Sequence, residues 1–453
     1  MRRFESRALS IRRLLTTTLV GARLVGLTWW YRLRVSIARN EHRDDLIARQ
    51  NERASEMVRE SFSNMKGVVA KIGQMASYLT SDVPEPLAQA LSQLQQTATS
   101  MEFEVTRSIL ESELRRPLES MFREFSEQPF AAASIGQVHR AVTRDGHEVA
   151  VKVQYVGVAE ILRADLSNVD SVARLLGFAF PKMDTSAMAA EISERILEEL
   201  DYLHEAEVQD TFATYYESHP RIIVPHVHHR LTTSQVLVSD YVHGASFDEA
   251  ILWDQPLKDM LGETIFRFVF RSLYRMHRFN GDPHPGNYRF LPDGRIAFLD
   301  YGFSKSFDVS EIELFESLVK SMVLDRNPAR FTEVAASAGL LVDAETVSPE
   351  DVADYFRIYY DIVRERGPQR LTEEFAAEVL RHSFSTSHPL RNHVNVPRSF
   401  VVIQRINLGM YAILAKLGAT VDWRGVAEEI WPFTNASPNT SIGEEEARWL
   451  ANQ

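Results

Sequence analysis

The chain is 453 residues long, 45 % hydrophobic and 25 % charged, enough for two or three core-bearing units; it has no cysteine, which excludes disulfides, thiol nucleophiles and Cys-ligated zinc or iron–sulfur sites. Its net charge of −12 is uneven: residues 1–40 hold nine Arg and one acid, Glu5, a net +8 that leaves −20 on the remainder. An acidic body argues against nucleic acid as a partner, and the basic arm points to an anionic membrane surface.

In chain order, the first feature is an apolar run in that arm, Leu14 to Leu33, carrying Trp29-Trp30-Tyr31 near its end and Arg23 at its centre. An Arg in mid-bilayer costs roughly 2.5–3.5 kcal/mol, so a spanning helix is not expected, and no other run reaches eighteen apolar residues. Arg12, Arg23 and Arg34 recur on one helical face. An interfacial helix with aromatic anchors, a helix docked on the body and an Arg-rich organellar transit segment all fit. The expected location is cytoplasmic and peripheral at a membrane, with an organellar one left open.

Helical periodicity runs from Asp44 to Ser81, where Val58, Phe62, Met65, Val69, Ile72, Ala76 and Leu79 form one apolar stripe that Pro84 and Pro86 end. Further helices are expected over 87–97 and 105–114. Near Phe130 the period becomes strand-like, and 135–142 and 148–153 flank Arg144-Asp145-Gly146 as a hairpin. Helices over 158–176 and 187–216 follow, then short strands at Ile222–Pro225 and Val236–Ser239 and the polar connection Asp240–Gly244. The remainder reads as helical, apart from a second hairpin at 288–299 around Pro292-Asp293-Gly294. A β-rich unit, a short polar connection and a helical unit give an α+β, two-lobed layout of the protein-kinase kind.

The residues that bear chemistry sit at defined points of this layout. Asp282, in Gly281-Asp-Pro-His-Pro-Gly-Asn287, precedes Asn287 by five positions, and Asp300 of Leu299-Asp-Tyr-Gly302 follows it by thirteen. Phosphoryl transfer from a nucleotide needs such a set: a carboxylate to position or deprotonate the acceptor, and an amide oxygen with a second carboxylate to share Mg²⁺. The 288–299 hairpin should bring Asn287 and Asp300 to one end. For either piece alone, a solvated turn is the plain alternative. Lys152, in Val149-Ala-Val-Lys152, projects from a strand as a phosphate ligand must. Upstream, Ala131-Ala132-Ala133-Ser134-Ile135-Gly136-Gln137 stands where a kinase has a glycine-rich loop; alanine resists φ > 0, so a stiffer turn is expected. On the first long helix Lys71, Gln74 and Tyr78 share a face. On the 187–216 helix Glu194, Glu198, Asp201 and Glu205 share one, with Glu199 turned about 100° away. A solvated acidic face explains most of these, yet one Glu must pair with Lys152 in an active kinase fold.

In these motifs the chain resembles the UbiB family of atypical protein-kinase-like proteins, also called AarF-domain kinases. Lys71-Ile-Gly-Gln74 matches the KxGQ motif, Ala131–Ser134 the alanine-rich loop, Lys152 the strand lysine, and Glu199-Leu-Asp201 the ExD motif. Asp282–Asn287 matches the catalytic loop and Asp300–Gly302 the metal-binding triplet, so that six motifs lie in order between about 55 and 310. The resemblance implies a kinase-like fold binding ATP with Mg²⁺, with Asp282 and Lys152 as catalytic residues and Asn287 and Asp300 as metal ligands. Residues 131–136, Val138, Lys152, Asp240 and Val242 would contact nucleotide. Lys71, Gln74, Glu199, Asp201 and Glu205 would form ion pairs gating the cleft, with Glu205 on Lys152 and Glu199 on Lys71. It also implies ATP hydrolysis or phosphotransfer to a small-molecule or lipid acceptor, in isoprenoid-quinone or membrane-lipid metabolism. Quinone-pathway members often carry a C-terminal hydrophobic anchor; the stretch from Asp422 to Glu446 has none, which weakens that carry-over.

The expected organisation is a basic arm (1–43), a helical extension with KxGQ (44–120), a kinase-like N-lobe with a helical insertion (121–243) and a helical C-lobe (244–453). Two other functions stay open. An aminoglycoside- or choline-type small-molecule kinase shares the GDPHPGN loop but has no counterpart of the KxGQ helix or alanine loop. A nucleotide-sensing scaffold on a membrane would keep the site without turnover.

Overall fold

The computed structural model describes residues 101–133, 135–166, 193, 197–280, 283–384 and 388–453. The basic arm and the expected helices at 44–81 and 87–97, with Lys71, Gln74 and Tyr78, lie outside the described residues, as do Ser134, Glu194 and Asp282. The fold is α+β and two-lobed. Its described residues fall into two compact units: 101–204 with His228–Ser239, and Glu205–Val227 with Asp240–Gln453.

The first unit begins with α1 (Phe103–Leu114), then β1 (Phe122–Phe125), β2 (Ala131–Ala132), β3 (Gly136–Thr143), β4 (Glu148–Gln154) and α2 (Val158–Leu166). After β5 (Ile222–Ile223) of the second unit, it closes with β6 (Val236–Asp240), whose last residue already belongs to the second unit. The sheet runs β1-β3-β4-β6, with β2 also paired to β3. The 135–153 hairpin forms as expected, in the register Val138↔Lys152 and Val142↔Glu148. Val149, Val151 and Val153 point to one face of β4 and form a core with Leu110 of α1, Phe122, Val236 and Val238. Helix α1 therefore covers one face of the sheet.

The helix expected at 187–216 is interrupted. Leu200 is a turn, and Asp201 Oδ1 accepts the Leu203 backbone N–H at 3.1 Å, so a new helix, α3 (Tyr202–Tyr215), starts there. Asp offers a side-chain acceptor to the amides that follow it, which favours a helix start over a helix interior. The shared acidic face drawn across Asp201 does not exist as one continuous wheel.

The second unit takes in residues 205–227 as well as those from Asp240 on. Residues 205–227 join it through aromatic packing and a buried hydrogen bond: the Phe212 ring lies 5.0 Å from Tyr301 and 5.8 Å from Phe268, and Tyr216 Oη bonds Ser272 Oγ at 2.8 Å. The unit is built around α4 (Gln255–Met276), followed by β7 (Arg278–Asn280), β8 (Tyr288–Phe290), β9 (Ile296–Phe298) and β10 (Ser304–Ser306). Strands pair as β5-β9-β8, with β5 parallel to β9, and as β7-β10. Its later helices are α5 (Val309–Val319), α6 (Pro328–Ser337), α7 (Pro349–Arg357), α8 (Glu373–Phe384), α9 (Arg398–Leu417), α10 (Trp423–Ile430) and α11 (Ser441–Leu450). Helix α9 is long and apolar enough from Phe400 to Leu417 to cross a membrane by length and composition alone, though it buries Val402, Ile406, Met410, Ile413 and Leu414 in this unit's core.

Candidate functional site

In the first unit the candidate residues collect on the face of the sheet opposite α1. With Val149, Val151 and Val153 in the core, strand alternation turns Ala150 and Lys152 the other way. Directly opposed residues of antiparallel strands share a face, so Val138↔Lys152 and Ala131↔Val138 bring Ala131, Val138, Ala150 and Lys152 together. Lys152 Nζ lies 4.9 Å from the centroid of Tyr202, a ring only 1 % exposed that sits one residue beyond the ExD motif. A cation over an aromatic face is held in place without losing its charge. Sequence reasoning passed over Tyr202, although its place beside Asp201 was a signal.

The alanine-rich segment is more regular than a flexible loop. Ala131 and Ala132 are paired to β3, Phe130 N–H donates to Val138 O, and Ala133 N–H donates to Gly136 O, at 2.9 Å each. None of its described residues has positive φ. Gly136 is needed for close approach instead: a β-carbon there would overlap the Val153 carbonyl of β4. Glu199 is half-buried and helical, the last residue before the turn at Leu200, and Asp201 caps α3.

In the second unit the 288–299 hairpin forms in the register Tyr288↔Phe298, and Leu299 N–H donates to Asn287 O at 2.9 Å. Asn287 and Asp300 therefore sit at the same end of the hairpin, as its turn chemistry led one to expect. The flanking chain is fixed by its own bonds. Asp300 Oδ1 accepts Gly302 N–H at 3.0 Å, Asp300 O accepts Asn280 Nδ2 at 2.7 Å, and Asn280 pairs with Ser304 across β7 and β10. Tyr301, between Asp300 and Gly302, is 1 % exposed against Phe212 and anchors the segment to the aromatic core. Burial raises its hydroxyl well above the ordinary value, so the ring is a neutral anchor. Glu205 is 3 % exposed, and its carboxylate lies beside Gly302, Oε2 being 3.3 Å from where a β-carbon would be.

Asp282 is outside the described residues, but its neighbours are placed. Gly286 N–H donates to His284 Nδ1 at 3.1 Å, and Asn287 N–H to His284 O at 2.9 Å, closing a 3₁₀ turn over Pro285–Asn287. Helix α9 touches this region twice, at Gly409 against Pro283 and with the Arg405 guanidinium 4.4 Å from the Phe303 ring centroid. Neither contact was legible in the motifs, because α9 lies over a hundred residues downstream. The connection expected to contact nucleotide belongs to the same unit from Asp240 on. Asp240 N–H donates to His226 O at 3.0 Å, and beyond the half-buried Val242 the backbones of Ala245 and Phe290 exchange bonds of 2.8 and 3.0 Å. The connection is thereby tied to the strand that follows Asn287.

A carboxamide and a carboxylate are hard oxygen donors, and Mg²⁺ is commonly held by one or two carboxylates together with substrate phosphates. Asn287 and Asp300 fit that ion by donor type and by their common place on the hairpin. Among the described residues no cluster of three His, Cys, Asp or Glu forms a separate metal site.

The ABC1 atypical kinase-like domain family model matches residues 93–335, more than half of the chain. Atypical kinase coq-8 of Caenorhabditis elegans, a mitochondrial protein by name, is 28 % identical over 377 residues, covering 81 % of this chain and 49 % of the relative. The chloroplastic protein ACTIVITY OF BC1 COMPLEX KINASE 1 of Arabidopsis thaliana is 34 % identical over 274 residues, covering 57 % and 39 %. The solved complex of Rv3197 with erythromycin from Mycobacterium tuberculosis superposes with a TM-score of 0.64 at 29 % identity, covering 86 % of this chain and 98 % of that one. The chain spans about half the length of the curated relatives it matches. By that match and by the ordered motifs it belongs to the ABC1 atypical kinase-like family, the UbiB or AarF-domain kinases.

Proposed function

We propose that this protein binds MgATP and acts as an atypical kinase or ATPase, hydrolysing ATP or transferring its phosphoryl group to a small-molecule or lipid acceptor. The observation that supports the reading is the hairpin bond from Leu299 N–H to Asn287 O, which brings Asn287 and Asp300, both bearing oxygen donors, to one end of the hairpin. In this reading Lys152 neutralises phosphate charge and Asp282 orients or deprotonates the acceptor. The alanine-rich turn, Val138, Asp240 and Val242 line the nucleotide. Bound Mg²⁺ supplies positive charge that offsets the phosphates.

Mg²⁺-dependent ATP affinity tests this directly. Asp300→Asn should weaken it at least tenfold, about 1.4 kcal/mol, and unchanged affinity would sink the site assignment. Erythromycin belongs in the same experiment as a competitor, because the mycobacterial relative was solved with it. ATP consumption with and without anionic vesicles separates turnover from a scaffold role, and aminoglycosides and amino alcohols test the small-molecule-kinase alternative. The family resemblance supports isoprenoid-quinone or membrane-lipid metabolism as the setting.

The basic arm is assigned to an anionic membrane surface, each Arg near such a surface contributing about 1 kcal/mol. Deleting residues 1–40 should abolish vesicle co-sedimentation and spare nucleotide binding. Relatives named for the mitochondrion and the chloroplast support an organellar address as the competing role, which equal sedimentation of the truncated protein would favour.

A further inference from the structure

Beneath the alanine-rich turn, on the α1 side of the sheet, lies a closed polar chain. Gln137 is 1 % exposed and His139 is fully buried. Gln137 Oε1 accepts the Met101 backbone N–H at 2.8 Å, which fixes the orientation of the amide, because a peptide N–H can only donate. Gln137 Nε2 then faces Thr106 Oγ1 at 3.0 Å and His139 Nε2 at 2.9 Å, with the Met101 carbonyl farther off at 3.4 Å, so both of its hydrogens have acceptors. His139 Nδ1 meets the Ser126 carbonyl at 2.8 Å, so it carries the imidazole proton and leaves Nε2 to accept. Every donor of the pair has an acceptor, with one consistent assignment.

This chain joins elements the sheet alone does not. Met101 lies just before α1 and Thr106 near its start, Ser126 directly follows the edge strand β1, and Gln137 is the residue opposite Ala132 in the β2–β3 register. Helix α1 reaches the far side of the sheet as well: Glu113 accepts from Thr233 Oγ1 at 2.8 Å and from Gln235 Nε2 at 3.0 Å, in the loop leading into β6. The helix is thus bolted at one end to the turn and at the other to the strand that runs to Asp240.

We propose that Gln137 is a positioning residue for nucleotide binding, holding the alanine-rich turn against α1 in place of the backbone adaptability a glycine loop would have. The proposal rests on the assignment of residues 131–136 to nucleotide phosphates. A β2–β3 turn with no glycine among residues 133–135 has few alternative backbone states, so its position depends on what lies beneath it. An amide bonded to the buried Thr106 and His139 and to the half-buried Met101 backbone defines that position, and a shape-matched apolar side chain removes all of those bonds.

The test uses the full chain with Gln137→Met, Thr106→Val, the double variant and, as a control on the parent reading, Lys152→Met. Gln137→Met should raise the KM and Kd for MgATP about tenfold, leave kcat within twofold, and speed amide hydrogen exchange at Ala133 and Gly136. Thr106→Val should show the same pattern at about threefold, and the double variant should bind no worse than Gln137→Met, since both act through one amide. Should Gln137→Met fail to fold, Thr106→Val carries the test by itself. Equal loss of kcat, an unshifted KM, or unchanged exchange in the turn would overturn the proposal. If Lys152→Met binds MgATP as well as the wild type, the nucleotide assignment fails separately. Exchange then decides the anchoring: slow exchange in Gln137→Met refutes it, and fast exchange retains it for another ligand.

Discussion

Gly409 of α9 lies against Pro283 of the loop we propose to be catalytic, so close that a β-carbon on Gly409 would overlap Pro283 Cγ. The contact fixes the chain one residue after Asp282, and the ring cannot yield without moving the loop. Gly409→Val should therefore misplace the loop as well as strain the helix. Overpacking costs about 1–3 kcal/mol, and a displacement near 1 Å in a catalytic segment costs about 100-fold in rate. We expect kcat for ATP turnover to fall at least tenfold, with MgATP affinity nearly retained. Ala412→Val, on the exposed side of the same helix, is the control and should leave kcat unchanged. Equal behaviour of the two variants would remove the loop-positioning role of Gly409.

A buried ionic cluster secures the C-terminal helix to α4. Arg267 meets Glu263 at 2.8 Å and Glu429 and Glu446 at 2.6 Å each, and Arg271 meets Glu446 at 2.6 Å. His219 Nδ1 accepts the N–H groups of Arg221 and Ile222 at 3.1 and 3.0 Å, so Nε2 carries the proton and donates to Glu446 at 3.4 Å. Burial opposes the Glu446 charge, but His219, Arg271 and Arg267 outweigh it and hold the carboxyl far below its ordinary range. Removing one partner of a buried ion pair strands the others, at about 3–5 kcal/mol, so Glu446→Ala should lower Tm by many degrees.

The same cluster sets a direction for acid unfolding. Burial lowers the His219 pKa below 6.5, so the unfolded chain takes up a proton that the folded one resists, and stability falls as pH drops below about 6.5. Glu446, depressed from 4.5, adds a second loss below about 4.5. Burial raises Glu263 from 4.5, which returns part of the stability as pH falls from its folded value toward 4.5. Urea midpoints of the wild type should decline in two stages on acidification, and Glu446→Ala should lose the lower stage. A midpoint flat from pH 7 to 4 would contradict this account.

Both hairpins were legible because alternation and Asp-Gly turns are local signals: Gly146 and Gly294 take the positive φ such turns need, at 94° and 84°. Strands β7 and β10, three residues each and paired across more than twenty positions, are too short to show a period. The placement of Asn287 beside Asp300 followed from the hairpin. Tyr202, Gln137 and Gly409 did not, because their importance arises from a partner brought in by tertiary packing. The unbroken helix at 187–216 was expected because periodicity counts apolar positions and overlooks a single Asp that starts a helix.

That Asp separates two roles. Asp201 Oδ1 caps α3 by accepting the Leu203 N–H, whatever the ExD motif does chemically. Asp201→Asn keeps an oxygen acceptor and loses the charge; Asp201→Ala loses both and should cost about 1 kcal/mol of stability. If the motif acts through charge, Asp201→Asn should change ATP turnover severalfold at unchanged Tm. Loss of turnover in Asp201→Ala alone, matching its loss of Tm, would reduce Asp201 to a cap.

The last prediction concerns the carboxylate that serves Lys152. From the family resemblance we propose Glu205. Glu205 is buried with its carboxylate beside Gly302 of the Asp300–Gly302 triplet, whereas Glu199 is half-buried at the helix end before Leu200. A buried carboxylate keeps its charge only with a cationic or hydrogen-bonding partner, and an ammonium that binds phosphate needs a counter-charge to fix its position. Lys152→Met and Glu205→Gln should each weaken MgATP binding at least tenfold. If the two groups act as a pair, the double variant should be no weaker than the worse single one, a coupling of at least 1 kcal/mol. Additive losses for that pair, together with coupling between Lys152→Met and Glu199→Gln, would transfer the role to Glu199 and reverse the assignment of the two glutamates.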